Sequence, residues 1–128
     1  MKKIRIKIAF KDHRGAIKDL FYKENINHVA HIVTEKKGVV RGNHYHKKTT
    51  QFMYMISGSL NYWYKKLGSN KPARVVRVVK GEIIKTPPKE IHALTFDEKN
   101  EFIVFSRGLR GGKDYEKDTF RVSPINIK

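Results

Sequence analysis

The chemistry-bearing part of the chain is a short stretch, Gly38-Val-Val-Arg-Gly-Asn-His44-Tyr-His46-Lys-Lys-Thr-Thr-Gln51, followed six residues later by Gly58. Residues i and i+2 of a strand share a face, so His44 and His46 would point into one cavity, with Gln51 just beyond a turn. Farther on, Gly81, Pro87 and His92 repeat a glycine–proline–histidine punctuation that offers a third imidazole to the same place. Two chemistries suit such a group. Histidine titrates near neutrality and can take and return a proton. Three imidazole nitrogens, His44, His46 and His92, with Gln51 as a weak fourth donor, could instead ligate a divalent metal such as Zn, Fe, Mn or Ni. A hydrogen-bonded structural pair is the plainer alternative, but imidazoles are costly to bury idly.

The elements that would position these residues are short strands. Ile4, Ile6, Ile8 and Phe10 alternate with polar or small residues, the pattern of one half-buried strand that Asp12-His13-Arg14-Gly15 turns. Residues 16–22 read as strand, with one helical face as the competing pattern. Further strands are predicted over 28–34, 51–56, 60–64, 74–79, 82–86, 92–96, 101–106 and 119–122, separated by clusters such as Lys36-Lys37-Gly38, Gly68-Ser69-Asn70 and Pro87-Pro88. Beyond Gly108, the Arg-Gly-Gly-Lys stretch reads as a mobile loop. Met53 and Met55 are assigned to the core, and the aromatic band Phe52, Tyr54, Tyr62, Trp63 and Tyr64 to strand packing or a dimer interface. Many short strands at turn spacing predict an all-β sandwich or barrel.

The 128 residues suit one domain spanning 1–128. With 39% hydrophobic and 31% charged residues, a subunit interface is expected to supplement the core, so a homodimer is predicted. Cysteine is absent, which excludes disulfides and thiol chemistry and fits a reducing cytoplasm. Nothing resembles a signal peptide or a membrane span, so the chain reads as cytoplasmic, with no membrane partner. Twenty-eight basic and 12 acidic residues give a net charge of +16, a field that draws in phosphate-bearing partners. The basic residues are scattered, without the spacing of a nucleic-acid motif, so nucleic acid is the weaker partner reading.

Two spaced blocks carry a family resemblance. Gly38, His44, His46, Gln51 and Gly58 match the first cupin motif, with glutamine where metal-binding cupins usually have glutamate; Gly81, Pro87 and His92 match the second, with Lys89 replacing its second glycine and Phe96 its terminal asparagine. The resemblance implies a double-stranded β-helix, a small jelly-roll barrel whose mouth holds the ligand. More narrowly, Arg41-Gly42-Asn43-His44-Tyr45-His46-Lys47 with Gln51 is similar to the Arg-Gly-x-His-x-His-Lys segment of dTDP-4-oxo-6-deoxyhexose 3,4-ketoisomerases. Asp12-His13-Arg14-Gly15 matches the Asp-x-Arg-Gly element they share with dTDP-4-dehydrorhamnose 3,5-epimerases, while His92 stands as in epimerases and metal cupins. Asn43-His44-Tyr45-His46 and Asp118-Thr119-Phe120 also resemble the cupin domain that ends capsule-polysaccharide reductases.

The resemblance implies isomerase or epimerase chemistry on a dTDP- or UDP-linked 4-oxo-6-deoxyhexose in surface-polysaccharide biosynthesis. Such chemistry removes a C–H proton beside a carbonyl and passes through an enediol or enolate. On this reading His44 is the base and His46 assists, with no cofactor. Arg14, Arg41 and Lys47 bind the diphosphate or the developing oxyanion. Gln51 orients a histidine or contacts the sugar. The alternatives are a metal cupin using His44, His46, His92 and Gln51, and a non-catalytic cupin that binds a sugar or metabolite.

Overall fold

Alternation of β-branched and aromatic residues with polar ones gives each strand one face to bury, and the chain solves this by stacking two antiparallel sheets. The computed structural model describes residues 1–125. Its strands are β1 (Lys2–Arg5), β2 (Ile8–Asp12), β3 (Gly15–Lys18), β4 (His28–Thr34), β5 (Val40–Tyr45), β6 (Thr50–Ser57), β7 (Ser59–Lys66), β8 (Arg74–Val79), β9 (Glu82–Thr86), β10 (Glu90–Thr95), β11 (Asn100–Arg107) and β12 (Phe120–Arg121), with one 3-10 turn at Gly112–Asp114. One sheet runs β1-β9-β6-β11-β4 and the other β12-β5-β10-β7-β8. Met53, Met55, Phe102 and Val104 from the first meet Leu60, Tyr62, Val78 and Leu94 from the second in the principal core. Burial alternates strictly along β11, as a strand with one face on that core requires. This is the all-β jelly roll that the two motifs imply. No helix among the described residues is long and apolar enough to cross a membrane.

The N-terminal alternation does not form one strand. It breaks at Ile6-Lys7, after which β1 pairs with β9 while β2 and β3 form a separate two-stranded hairpin. Ile8, Phe10 and Ile17 on that hairpin are more than half exposed, so the pattern correctly marks an apolar face that nothing among the described residues covers. The strand expected over 16–22 ends at Lys18. Phe21 leaves it to set its ring edge-on against Phe52 and Phe105, at 5.0 and 4.7 Å, covering the outer face of the first sheet. At the other end only Phe120 and Arg121 pair with β5. Residues beyond Gly108 are not a free loop: a 3-10 turn and a buried Asp118 hold them against the barrel.

Candidate active site

β5 and β10 lie side by side, with His44 directly opposite His92 in the ladder. The register shifts between His92 and Ala93, because Gly42 and Asn43 both take positive φ, 94° and 57°, and insert a bulge. Gly42 is required here: a Cβ would lie 2.8 Å from the His92 carbonyl oxygen. The bulge aims His44 inward, and His46 follows just past the strand end. Ring centroids are 4.9 Å apart for His44 and His46, 4.7 Å for His44 and His92 and 5.5 Å for His46 and His92. One nitrogen from each ring lies within 4.8 Å of the others. Tyr45 points the opposite way and stacks on Phe120, as alternation predicts.

Two of the rings are oriented from behind. His46 Nδ1 donates to the Asp118 carbonyl at 2.7 Å, and His92 Nδ1 donates to the Glu90 carbonyl at 3.0 Å. A carbonyl only accepts, so in the neutral rings the proton sits on Nδ1 and the Nε2 lone pair is free. His46 Nε2 is buried without a hydrogen-bond partner among the described residues. The Gln51 amide weighs weakly toward the charged form of His46, yet no hydrogen bond of ordinary geometry joins them. His44 makes no side-chain hydrogen bond among the described residues.

Electrostatics keep the three rings neutral. Burial, then the neighbouring His46 and the cations Arg110 and Arg121, lower the His44 pKa to about 4. Burial and His44 lower that of His92 to about 3. His46 is also lowered, by burial against the opposing effect of its Asp118 hydrogen bond.

His44 and His92 line a cavity of about 340 Å³ between the sheets, with Gln51 and Met53 from β6 and Leu94, Phe102 and Val104 along its wall, and His46 lies behind them. That volume is at the small end for ligand sites, room for one ring-sized group. β4 supplies its open side through His28, Ala30, His31 and Ile32. Arg41 also lines it, with Nε bonded to Thr34 Oγ1 at 3.0 Å and Nη2 to the Val33 carbonyl.

Two expected residues lie elsewhere. Lys47 is exposed and rests over the Phe120 ring, 4.4 Å from its centroid, because the strand ends before it. Arg14 sits on the β2–β3 hairpin, its side chain 74% exposed and paired with Asp12 at 2.7 Å, outside this chain's own cavity. Three contributors were given no site role in sequence, although Asp118 was quoted there as part of a family resemblance. Arg110 and Tyr115 line the cavity, and the Asp118 carboxylate accepts from the Lys47 and Lys48 amides and from Thr49 Oγ1 at 2.8–2.9 Å. Lys89, standing where the second motif has glycine, takes a φ of 65° and donates its amide to the His46 carbonyl.

Fold and site together define a cupin: a jelly-roll barrel with a His-x-His pair and a motif-two histidine converging at its mouth. The chain belongs to the polysaccharide biosynthesis C-terminal domain family, whose model matches residues 10–119. No curated protein sequence matches it significantly. Among solved structures it is similar to the sugar 3,4-ketoisomerase QdtA of Thermoanaerobacterium thermosaccharolyticum in complex with TDP, with 20% identity over 94% of this chain and 87% of that one and a TM-score of 0.76. It is also similar to a dTDP-4-dehydrorhamnose 3,5-epimerase of Sulfolobus tokodaii, with 20% identity over 98% and 78% and a TM-score of 0.77. The capsular polysaccharide assembling protein CapF of Staphylococcus aureus shares 16% identity over 94% of this chain but 33% of its own, with a TM-score of 0.67. At these identities the likeness establishes the fold.

Proposed function

We propose that this protein is a nucleotide-sugar isomerase or epimerase that moves a proton beside the carbonyl of a dTDP- or UDP-linked 4-oxo-6-deoxyhexose. The observation that carries the reading is the convergence of three imidazoles, two of which, His44 and His92, line a cavity of sugar-ring size whose lining contains no carboxylate. Ketoisomerase QdtA in complex with TDP, and with TDP-4-keto-6-deoxyglucose, shares the fold and supports this substrate class.

His44 is the base. It alone of the three is not tied to a main-chain carbonyl, and its low pKa keeps its lone pair available at neutral pH. Negative charge brought in by the substrate and developed in the enolate raises its basicity at the moment of transfer. His46, with its buried Nε2 unpartnered, is placed to relay the proton or polarise the sugar oxygen. Gln51 is placed to contact a sugar hydroxyl, and Arg41 to meet the diphosphate at the mouth. Incubation with dTDP- and UDP-4-oxo-6-deoxyglucose in deuterated water is expected to show ring-proton exchange that is lost in His44→Asn. Absence of exchange and product with both nucleotides would sink the catalytic reading.

Arg14 enters this reading through a second copy. Among the described residues the β2–β3 hairpin pairs with no other strand, and β4, which walls the cavity, is a sheet edge with Val29 57% exposed. A partner's hairpin laid along β4 would cover Ile8, Phe10 and Ile17 and carry Arg14 to the cavity mouth. Mixing inactive Arg14→Ala and His44→Asn proteins should then restore part of the activity. A monomer in sedimentation would refute the dimer.

A second reading has its own support. The donor set fits a divalent metal: three imidazoles bring one nitrogen each within 4.8 Å of the others, and two of them, His46 and His92, have Nδ1 pinned by main-chain carbonyls so that Nε2 is left to ligate. His44, His46 and His92 would hold it, and it would supply Lewis-acid polarisation of the carbonyl. Elemental analysis of the purified protein, with activity measured after chelation, separates the two.

A further inference from the structure

Arg110 stands in the cavity wall with no ion pair among the described residues, although the Glu116 and Asp118 carboxylates act on it from a distance. Its Nη1 donates to the Tyr115 carbonyl and to Thr119 Oγ1, both at 3.0 Å, and its guanidinium lies over the Tyr115 ring at 5.1 Å. Nε and Nη2 make no hydrogen bond, and the group makes no ion pair, among the described residues. The loop that carries it is built into the barrel. Gly108 lies against Thr49, and Gly111 lies so close to the His28 ring that any Cβ would collide with it. Thr49 Oγ1 in turn accepts from the Leu109 amide. The guanidinium is half-buried by this packing, and its charge is felt by His44, His46 and His92 alike. Such a cation is anchored on one side and has free donors on the other, in a carboxylate-free cavity. That arrangement suits binding an anion.

The position selects which anion. The cavity holds one ring-sized group, so the sugar enters and the nucleotide stays at the mouth. Arg110 lines the same cavity as His44 and His92, and therefore meets the reacting sugar and not the diphosphate. Building on the proton-transfer reading above, we infer that Arg110 binds the oxyanion of the enolate, a role that sequence reasoning gave to Arg14, Arg41 or Lys47. In the step, a His44 ring nitrogen takes the proton from the carbon beside the carbonyl. The C–H electron pair forms the C=C bond, the carbonyl π pair moves to oxygen, and Arg110 holds that oxygen without exchanging a proton. Reprotonation of that carbon from the imidazolium, after its proton has exchanged with solvent, re-forms the carbonyl and gives the deuterium exchange measured below. Net isomerisation further requires the neighbouring hydroxyl proton to pass to this oxygen and a proton to reach the former carbonyl carbon. Arg110 gains most when the oxygen is fully charged, which is the differential binding that accelerates a reaction.

The test compares wild type with Arg110→Met and Arg110→Lys by deuterium exchange into the bound sugar, and by calorimetric binding of dTDP alone. Arg110→Met is expected to slow exchange at saturating substrate about 10²- to 10³-fold, the usual cost of one lost oxyanion donor. Arg110→Lys should recover part of the rate, and dTDP affinity should stay within about threefold. A variant that keeps its exchange rate but binds dTDP more than about tenfold weaker would assign Arg110 to the diphosphate and overturn the inference. So would an exchange rate within about threefold of wild type. If wild type itself shows no exchange, the proton-transfer reading fails separately, and oxalate, a planar oxyanion, decides the fate of Arg110. Saturable oxalate-induced shifts of the His44 ring resonances that disappear in Arg110→Met would retain it as an inner oxyanion site. No such shift in wild type would overturn it.

Discussion

Asp118 joins the closing segment of the chain to the turn that carries His46, and its replacement is the most informative test of how the site is held. Its carboxylate is almost fully buried, with Oδ1 accepting from the Lys47 amide and Oδ2 from the Lys48 amide and Thr49 Oγ1. Burial alone would raise its pKa, but these hydrogen bonds outweigh it and hold the group ionised. A hydrogen bond to a charged group contributes about 1.5–3 kcal/mol, and the three share one acceptor, so they do not sum fully. Asp118→Ala should therefore cost about 3–5 kcal/mol, because two main-chain amides lose their partner. Asp118→Asn can keep the two Oδ2 bonds if its amide oxygen takes that position, losing only the Lys47 contact, for about 2 kcal/mol. In a chain of this size that corresponds to a fall in Tm of about 10–20 °C for alanine and about half that for asparagine. Urea unfolding gives the energies, and the ring ¹⁵N shifts of His46 report whether Nδ1 still carries the proton. Since Thr49 also braces the Gly108–Leu109 turn, both sets of resonances should move together. An Asp118→Ala protein within about 0.5 kcal/mol of wild type, with unchanged His46 shifts, would refute this account of the site.

Two further outcomes follow from the same geometry. His44 and His92 have folded pKa values of about 4 and about 3, below the value of about 6.5 for a free histidine, so the unfolded chain binds the extra protons. Stability should be full above about pH 6.5 and fall by up to a few kcal/mol as pH drops toward 4. Urea midpoints across that range should show a shallower slope in His92→Asn; a flat wild-type profile would contradict the neutral-imidazole site. Gly42→Ala should cost about 2–4 kcal/mol and shift the His92 resonances, through positive-φ strain and the collision with the His92 carbonyl. Gly68→Ala, at a φ of 82° in open space, should show the strain without the shift.

His44, His46 and His92 were legible because a two-residue period and a glycine–proline punctuation are local signals, and the bulge at Gly42-Asn43 preserved the convergence they imply. Lys47 was misplaced by the same reasoning, since alternation stops where β5 stops. Arg110, Tyr115 and Asp118 carry no periodicity of their own. They reach the site only when the chain closes on itself, Asp118 returning 72 residues along the chain to His46. The apolar face of residues 4–10 was visible as a pattern, but no local pattern shows that Ile8 and Phe10 lack a cover among the described residues.

The acceptors that fix His46 and His92 are main-chain carbonyls, at Asp118 and Glu90, and no substitution at those positions can delete them. The choice of which nitrogen bears the proton is thus encoded in the path of the backbone and not in the identity of a neighbouring side chain. The side chains around the triad can change over generations of sequence while the lone pairs of His46 and His92 keep their direction. A designer altering specificity has the same freedom at the cavity wall, provided that the two backbone turns are left in place.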